Sequence, residues 1–164
     1  MYVAGPLGFT ESGRQYHETV VLPALRSAGF EPLDPWDIDD RLRAVLELPQ
    51  GSPARATDLP AVNREIGRRN AELIQRAAGV LAFLDGPDVD SGTAAEIGYA
   101  AALARPIVGI RTDTRVSGDN EATAVNLQVE WFVVESGGSL TRDLGEALAK
   151  LHDLLSPRVH IDRQ

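Results

Sequence analysis

Val80-Leu-Ala-Phe-Leu84 is an apolar run with no polar position in it. A strand with one wet face alternates apolar and polar side chains, so a run without alternation is buried on both faces. Both faces of a sheet are covered when helices cross over from one parallel strand to the next, and the rest of the chain supplies the pieces. Tyr2–Gly5, Phe30–Leu33, Pro106–Ile110 and Trp131–Val134 read as further short strands. Helical spacing occupies Glu11–Ala28, where Pro23 bends or divides the helix and Gly29 closes it. Ile38–Leu48 is a charged amphipathic segment, and Pro49–Thr57, rich in Gly, Ser, Pro and Ala, reads as a mobile loop. Asp58–Ala77 is the longest expected helix, with Pro60 near its start, where proline is tolerated. Thr93–Ala104 and, capped by Ser139, Leu140–Leu155 complete the helices, and Arg111–Asn120 is a polar loop.

Strands alternating with helices, joined by right-handed crossovers, define an α/β fold. The expectation is a single-domain, flavodoxin-like open sheet of about five mainly parallel strands flanked by helices. It spans residues 1–156, with a short C-terminal tail at 157–164. The length of 164 residues suits one domain with a sizeable core, and no internal repeat is present. A net charge of −8 argues against the basic surface that nucleic acids require. With no cysteine, thiolate metal sites and cysteine nucleophiles are excluded. His17, His152 and His160 lack metal-ligand spacing, so neither a metal nor a cofactor is expected. No apolar run approaches the roughly 20 residues of a membrane helix. A first strand at Tyr2 leaves no room for a signal peptide, so the expected location is cytoplasmic.

In open parallel sheets, ligands bind at the carboxyl ends of the strands, where the strand order reverses. The loops Gly5–Phe9, Asp34–Asp37 and Asp85–Gly92 leave the first three strands and should meet there. They bring Tyr2, Gly5, Phe9, Asp34, Trp36, Asp37, Asp85, Asp88, Asp90 and Glu96 to one crevice, aromatic plates beside acids with few cations. Phe9 and Trp36 can stack on an aromatic base, while carboxylates can bond sugar hydroxyls and ring nitrogens. Glu96 sits early in a helix among small neighbours (Gly92, Ala94, Ala95, Gly98) that leave space for a ligand against the turn. A carboxylate in that setting can attack a sugar carbon while a neighbouring protonated acid serves the leaving group. Asp90 is the candidate acid and equally a candidate helix cap. Asp85 beside Gly86-Pro87 is either a contact or only a turn former, and Tyr2 either a contact or core. Gly5, Gly8 and Gly92 serve turn geometry or close approach of a ligand. Arg64, Arg68 and Arg69 read as a solvated helix face.

Tyr-Val-Ala-Gly-Pro-Leu at 2–7, Leu-Asp-Gly at 84–86, Asp-Ser-Gly-Thr-Ala-Ala-Glu-Ile-Gly-Tyr-Ala at 90–100 and Asn-Leu at 126–127 resemble the nucleoside 2-deoxyribosyltransferase family. The resemblance extends from Tyr2 to the final helix, and its most specific part is 90–100. It implies a flavodoxin-like fold and transfer of a 2-deoxyribosyl group between nucleobases through a covalent sugar–enzyme ester. Deoxynucleoside and free nucleobase are the implied small-molecule partners, with no nucleic acid and no membrane. The family's nucleophile falls on Glu96 and its base-contacting Asp on Asp90. Its Asn that reaches the sugar from a neighbouring subunit falls on Asn126, which implies a homo-oligomer. An Asp that some members carry in the long helix is matched here by Asn70, and an amide cannot supply a proton at neutral pH. Proton donation is therefore assigned to Asp90.

Two other functions fit the same residues. A related branch hydrolyses deoxynucleoside 5′-monophosphates and holds the phosphate with a Ser- and Arg-bearing first loop. This chain has Gly-Pro-Leu-Gly-Phe there, with Arg14 somewhat later. A non-catalytic nucleotide-binding module would share the fold and bind without product.

Overall fold

The computed structural model describes residues 1–156, so the expected tail 157–164 and His160 lie outside the described residues. Four strands, β1 (Tyr2–Ala4), β2 (Val80–Phe83), β3 (Ile107–Ile110) and β4 (Leu140–Thr141), form one sheet in that order, with every neighbouring pair parallel. On the other side of β1, Leu33 makes a single parallel bridge to Tyr2. The expected strand Phe30–Leu33 is thus reduced to one paired position. Counting it gives the 2-1-3-4-5 order of a flavodoxin-like sheet, with the reversal at β1.

Register explains the layers. Tyr2, Val80 and Ile107 lie side by side across the sheet. With Ala4, Ala82 and Leu84 they face a core made with α4 (Pro53–Arg76), α5 (Ser91–Ala102) and α6 (Leu127–Glu135). The intervening Val3, Leu81, Phe83, Val108 and Ile110 point the other way, against α2 (Leu22–Ser27) and α7 (Leu144–Leu155). Both faces of β2 are buried, as its uninterrupted apolar run requires.

Trp131–Val134 is not a strand but the second half of α6. Parallel strands β3 and β4 need a crossover between them, and this segment supplies it. Asn126 caps the helix, and Val129 and Val133, four residues apart, bury one face. The last strand is Leu140–Thr141, and α7 starts later than expected, capped by Asp143 instead of Ser139. The long helix starts earlier than expected. Ser52 accepts from the Arg55 N–H and Pro53 takes the first helical position, so Pro60 falls inside the helix on its exposed side.

The first crossover is a helix in three parts: α1 (Glu11–Tyr16), a π-helical turn (His17–Val21), then α2. Pro23 has no N–H to give and crowds the carbonyl of the preceding turn. The disturbance expected there takes the form of the widened turn, in which the Leu22 N–H bonds to the His17 carbonyl. Between α2 and α4 the short α3 (Asp40–Glu47) lies over α4.

Candidate active site

Asp90 starts α5 by accepting the Thr93 N–H on Oδ2 at 2.9 Å, with the Thr93 hydroxyl at 3.1 Å on the same oxygen. This cap fixes where the helix begins, and Glu96 follows on its second turn. Beneath α5 lies Tyr2 of β1, fully buried, whose hydroxyl donates to Glu96 Oε1 at 2.6 Å. The strand register decides this contact, because Tyr2 is on the sheet face that α5 covers. Burial and the neighbouring Glu96 carboxylate push the Tyr2 hydroxyl far above the usual tyrosine range, so it remains a proton-bearing donor. The Glu96 carboxyl is raised above its ordinary value of 4.5, first by burial and then by the charge of Asp90, against the pull of the Tyr2 hydrogen bond.

Glu96 opens into a cleft of ≈ 290 Å³. Gly5, Asp90, Gly92 and Thr93 line one side of it, and Asn70 and Ile66, one turn apart on α4, line another. Phe9, Trp36, Ile38 and Leu46 form an apolar and aromatic wall. Among the described residues, none that lines the cleft carries a positive charge. Asn70 Oδ1 is buried without a hydrogen-bond partner among the described residues. An unpaired buried carbonyl is costly, so this one is poised for a ligand donor.

Gly5 has φ +150°, and a Cβ there would come within 2.8 Å of Phe83 Cβ. Only glycine lets the first loop turn so close to β2. Gly8 carries the indole of Trp36 on its surface, where an added Cβ would fall 2.1 Å from the ring. Phe9 meets Trp36 edge-on, with ring centroids 4.8 Å apart, and is itself 68% exposed at the cleft mouth. Some of the small residues of α5 have another use: Gly98 faces Phe132 of α6, so part of that composition serves helix packing.

Glu96, Asp90, Gly5, Phe9, Asn70 and Gly92 come together at the cleft, with Tyr2 beneath. Asp37, Asp85 and Asn126 do not line it. Asp37 is exposed, and its carbonyl accepts from Arg69. Asp85 spends both carboxylate oxygens on the next loop, taking the N–H groups of Thr112 and Asp113 at 2.6 and 2.8 Å and the Thr112 hydroxyl at 2.6 Å. Asn126 caps α6 through the Gln128 and Val129 N–H groups. Asp88 bonds the adjacent Val89 N–H. Sequence reasoning missed Ile38, Leu46 and Ile66; the four-residue spacing of Ile66 from Asn70 was the available signal. It also misread Arg69, which is half-buried and donates to the carbonyls of Asp34, Pro35 and Asp37.

A larger cavity, ≈ 540 Å³, opens beyond β3 and β4, lined by Arg111, Asp113, Arg115 and Arg142 among others. Its Asp113 is bound by Arg115, which holds the carboxyl far below the usual range. The Arg111 guanidinium is spent on the carbonyls of Leu84, Gly86 and Arg115. Size favours this cavity, but its Asp113 is paired with Arg115 and its Arg111 is bound to backbone carbonyls, whereas the smaller cleft holds the aromatic wall and an acid with no cation. Among the described residues no cluster of His, Asp or Glu could hold a metal, and no helix is long and apolar enough to cross a membrane.

The fold is a parallel sheet flanked by helices, and its cleft gathers an aromatic wall around a half-buried carboxylate. The family model for nucleoside 2-deoxyribosyltransferase matches residues 1–128, and the chain belongs to that family. An uncharacterised protein of Schizosaccharomyces pombe is 28% identical over 120 residues, 71% of this chain and 51% of the relative. This chain therefore spans about half the length of that curated relative. Among solved structures, a conserved protein from Enterococcus faecalis superposes with a TM-score of 0.67 at 23% identity, covering 93% of this chain and 96% of its own. The 2-deoxyribosyltransferase of Bacillus psychrosaccharolyticus gives 0.59 at 20%, covering 90% and 88%. A CMP N-glycosidase of Clostridium botulinum gives 0.54 at 17%, covering 92% and 98%. At these identities the three structures share the fold.

Proposed function

We propose that this protein cleaves the N-glycosidic bond of 2′-deoxynucleosides and passes the 2-deoxyribosyl group to a second nucleobase. The observation that carries the reading is the 2.6 Å hydrogen bond from Tyr2 to Glu96 at the inner end of an aromatic-walled cleft. One carboxylate oxygen is oriented by that hydroxyl, which leaves the other for C1′ of the sugar. As the bond to the base breaks, the Glu96 oxygen closes on C1′ to form a glycosyl ester. Asp90, whose Oδ1 the cap does not use, takes up a proton from solvent and passes it to the departing base. Asn70 offers both a donor and an acceptor to the base edge without taking part in proton transfer. A second base then attacks C1′, returns a proton to Asp90 and frees Glu96. No step calls for a metal or a redox cofactor.

Incubation with deoxyinosine and free adenine should yield deoxyadenosine. No exchange with any base pair tried would defeat the reading. Hydrolysis of a nucleoside 5′-monophosphate is disfavoured by the absence of a cation at the cleft among the described residues. Arg14 donates instead to the Gly8 carbonyl at 3.0 Å and lines a separate cavity behind Trp36. Comparing turnover of a deoxynucleoside with that of its 5′-monophosphate separates the two, and a binding-only module would melt higher with ligand while releasing no base.

The assembly we propose is a homo-oligomer in which Asn126 completes a neighbour's site. Leu127, Trp131 and Val134, four and three residues apart on α6, are each half-exposed, an apolar stripe that begins beside Asn126. Sedimentation of the purified protein tests this, and a monomer at working concentration would sink it.

A further inference from the structure

Trp36, the broadest plate of the cleft, stands on a turn that belongs to no strand; the neighbouring segment pairs with the sheet at a single position, Leu33. What holds this turn comes from outside it. Asp34 accepts the Trp36 N–H on Oδ1 at 3.0 Å, and its Oδ2 lies 2.9 Å from Nε2 of His17. His17 is 3% exposed and opens the π-helical turn. From the opposite side, Arg69 of α4 donates to the carbonyls of Asp34 and Pro35. Gly8 supplies the flat seat under the indole.

The His17 pairing is poorly explained by stability. Its Nδ1 is buried with no partner among the described residues, which is a cost an apolar side chain would avoid. The π-helical turn that carries it gives up regular α-helical bonding as well, and such turns gather at functional positions. An imidazole and a carboxylate at this spot fix a direction, which an apolar contact does not. We infer that His17, acting through Asp34, is a positioning residue for Trp36 and thereby sets how tightly the cleft holds the incoming nucleobase. This rests on the reading of the cleft as a base-binding site.

The test uses a Trp131→Phe background, in which Trp36 is the sole tryptophan of the chain. His17→Leu fills the buried site without the polar contact, and Asp34→Ala removes the other partner while leaving His17. In both variants acrylamide should quench Trp36 fluorescence more strongly than in the parent. The KM for free adenine should rise about tenfold with kcat within about twofold, as a misplaced binding surface gives. Melting temperature serves as the control, and His17→Leu should melt no lower than the parent. Parental quenching together with a parental adenine KM in both variants would overturn the assignment. So would an equal fall in kcat with KM unchanged. If the unsubstituted protein transfers no deoxyribose, the function proposed above fails, whereas the ligand-free Trp36 signal still decides whether His17 and Asp34 hold the indole.

Discussion

The two ends of the sheet's carboxyl edge treat their acids in opposite ways. At the β3–β4 end, Asp113 is half-buried, clasped by the exposed Arg115 and driven to lower pKa. At the β1–β2 end, Glu96 has no cation, is largely withdrawn from water and is driven to higher pKa. An ion pair on a surface settles a charge and does little else. A carboxylate drawn from water, beside a neutral hydroxyl and a second acid, is the kind of perturbed group that gathers at functional sites. The contrast recurs over five residues of one loop, where Asp85 is consumed by the 112–113 backbone and Asp90 retains an oxygen for a ligand.

The sharpest way to break this contrast is Glu96→Ala, which should lower transfer by about a thousandfold or more, as loss of a covalent nucleophile does. A variant that keeps parental kcat would remove Glu96 from the role. Tyr2→Phe should follow, with kcat/KM down about tenfold to a hundredfold for loss of a hydrogen bond to a charged group. The hydroxyl favours the ionised carboxylate, so its removal should also shift the acid limb of the pH–rate profile upward. A limb that stays put would contradict the assignment. Glu96→Gln sharpens the stability side. A carboxyl raised on folding contributes stability below its unfolded value near 4.5, and that contribution is lost as pH rises through the folded value. At pH 7 the glutamine protein should therefore melt above the parent, with the gap closing near pH 4; melts at the two pH values check this. The smallest effect is expected at the spent acid. Asp85→Asn should leave kcat within about twofold, since neutral loop contacts lie outside the reacting groups, while protease nicking near 112–113 increases.

Much of the fold was legible because burial writes itself into pattern. β2 has no polar position, and β1 and β3 are short apolar runs closed by turn signals. Trp131–Val134 was misread because β-branched and aromatic residues outweighed the four-residue spacing of Val129 and Val133, and tertiary demand for a crossover prevailed over propensity. At the site, Asp90 and Glu96 were legible from a cap, a helix start and small neighbours. Asp85 was not, because the 112–113 backbone that absorbs it is remote in sequence. The same holds for Arg69 and His17, whose partners are 32 to 35 and 17 residues away.

The side-by-side placement of Tyr2, Val80 and Ile107 has a consequence for how activity and folding are linked. A slip of β1 by one residue would turn every side chain of that strand to the opposite layer. Val3 would then lie under α5, and the phenol would point into the α2–α7 side, out of reach of Glu96. Such a molecule could keep its helices, its compactness and most of its spectrum while its chemistry fell silent, which makes catalysis a gauge of strand alignment.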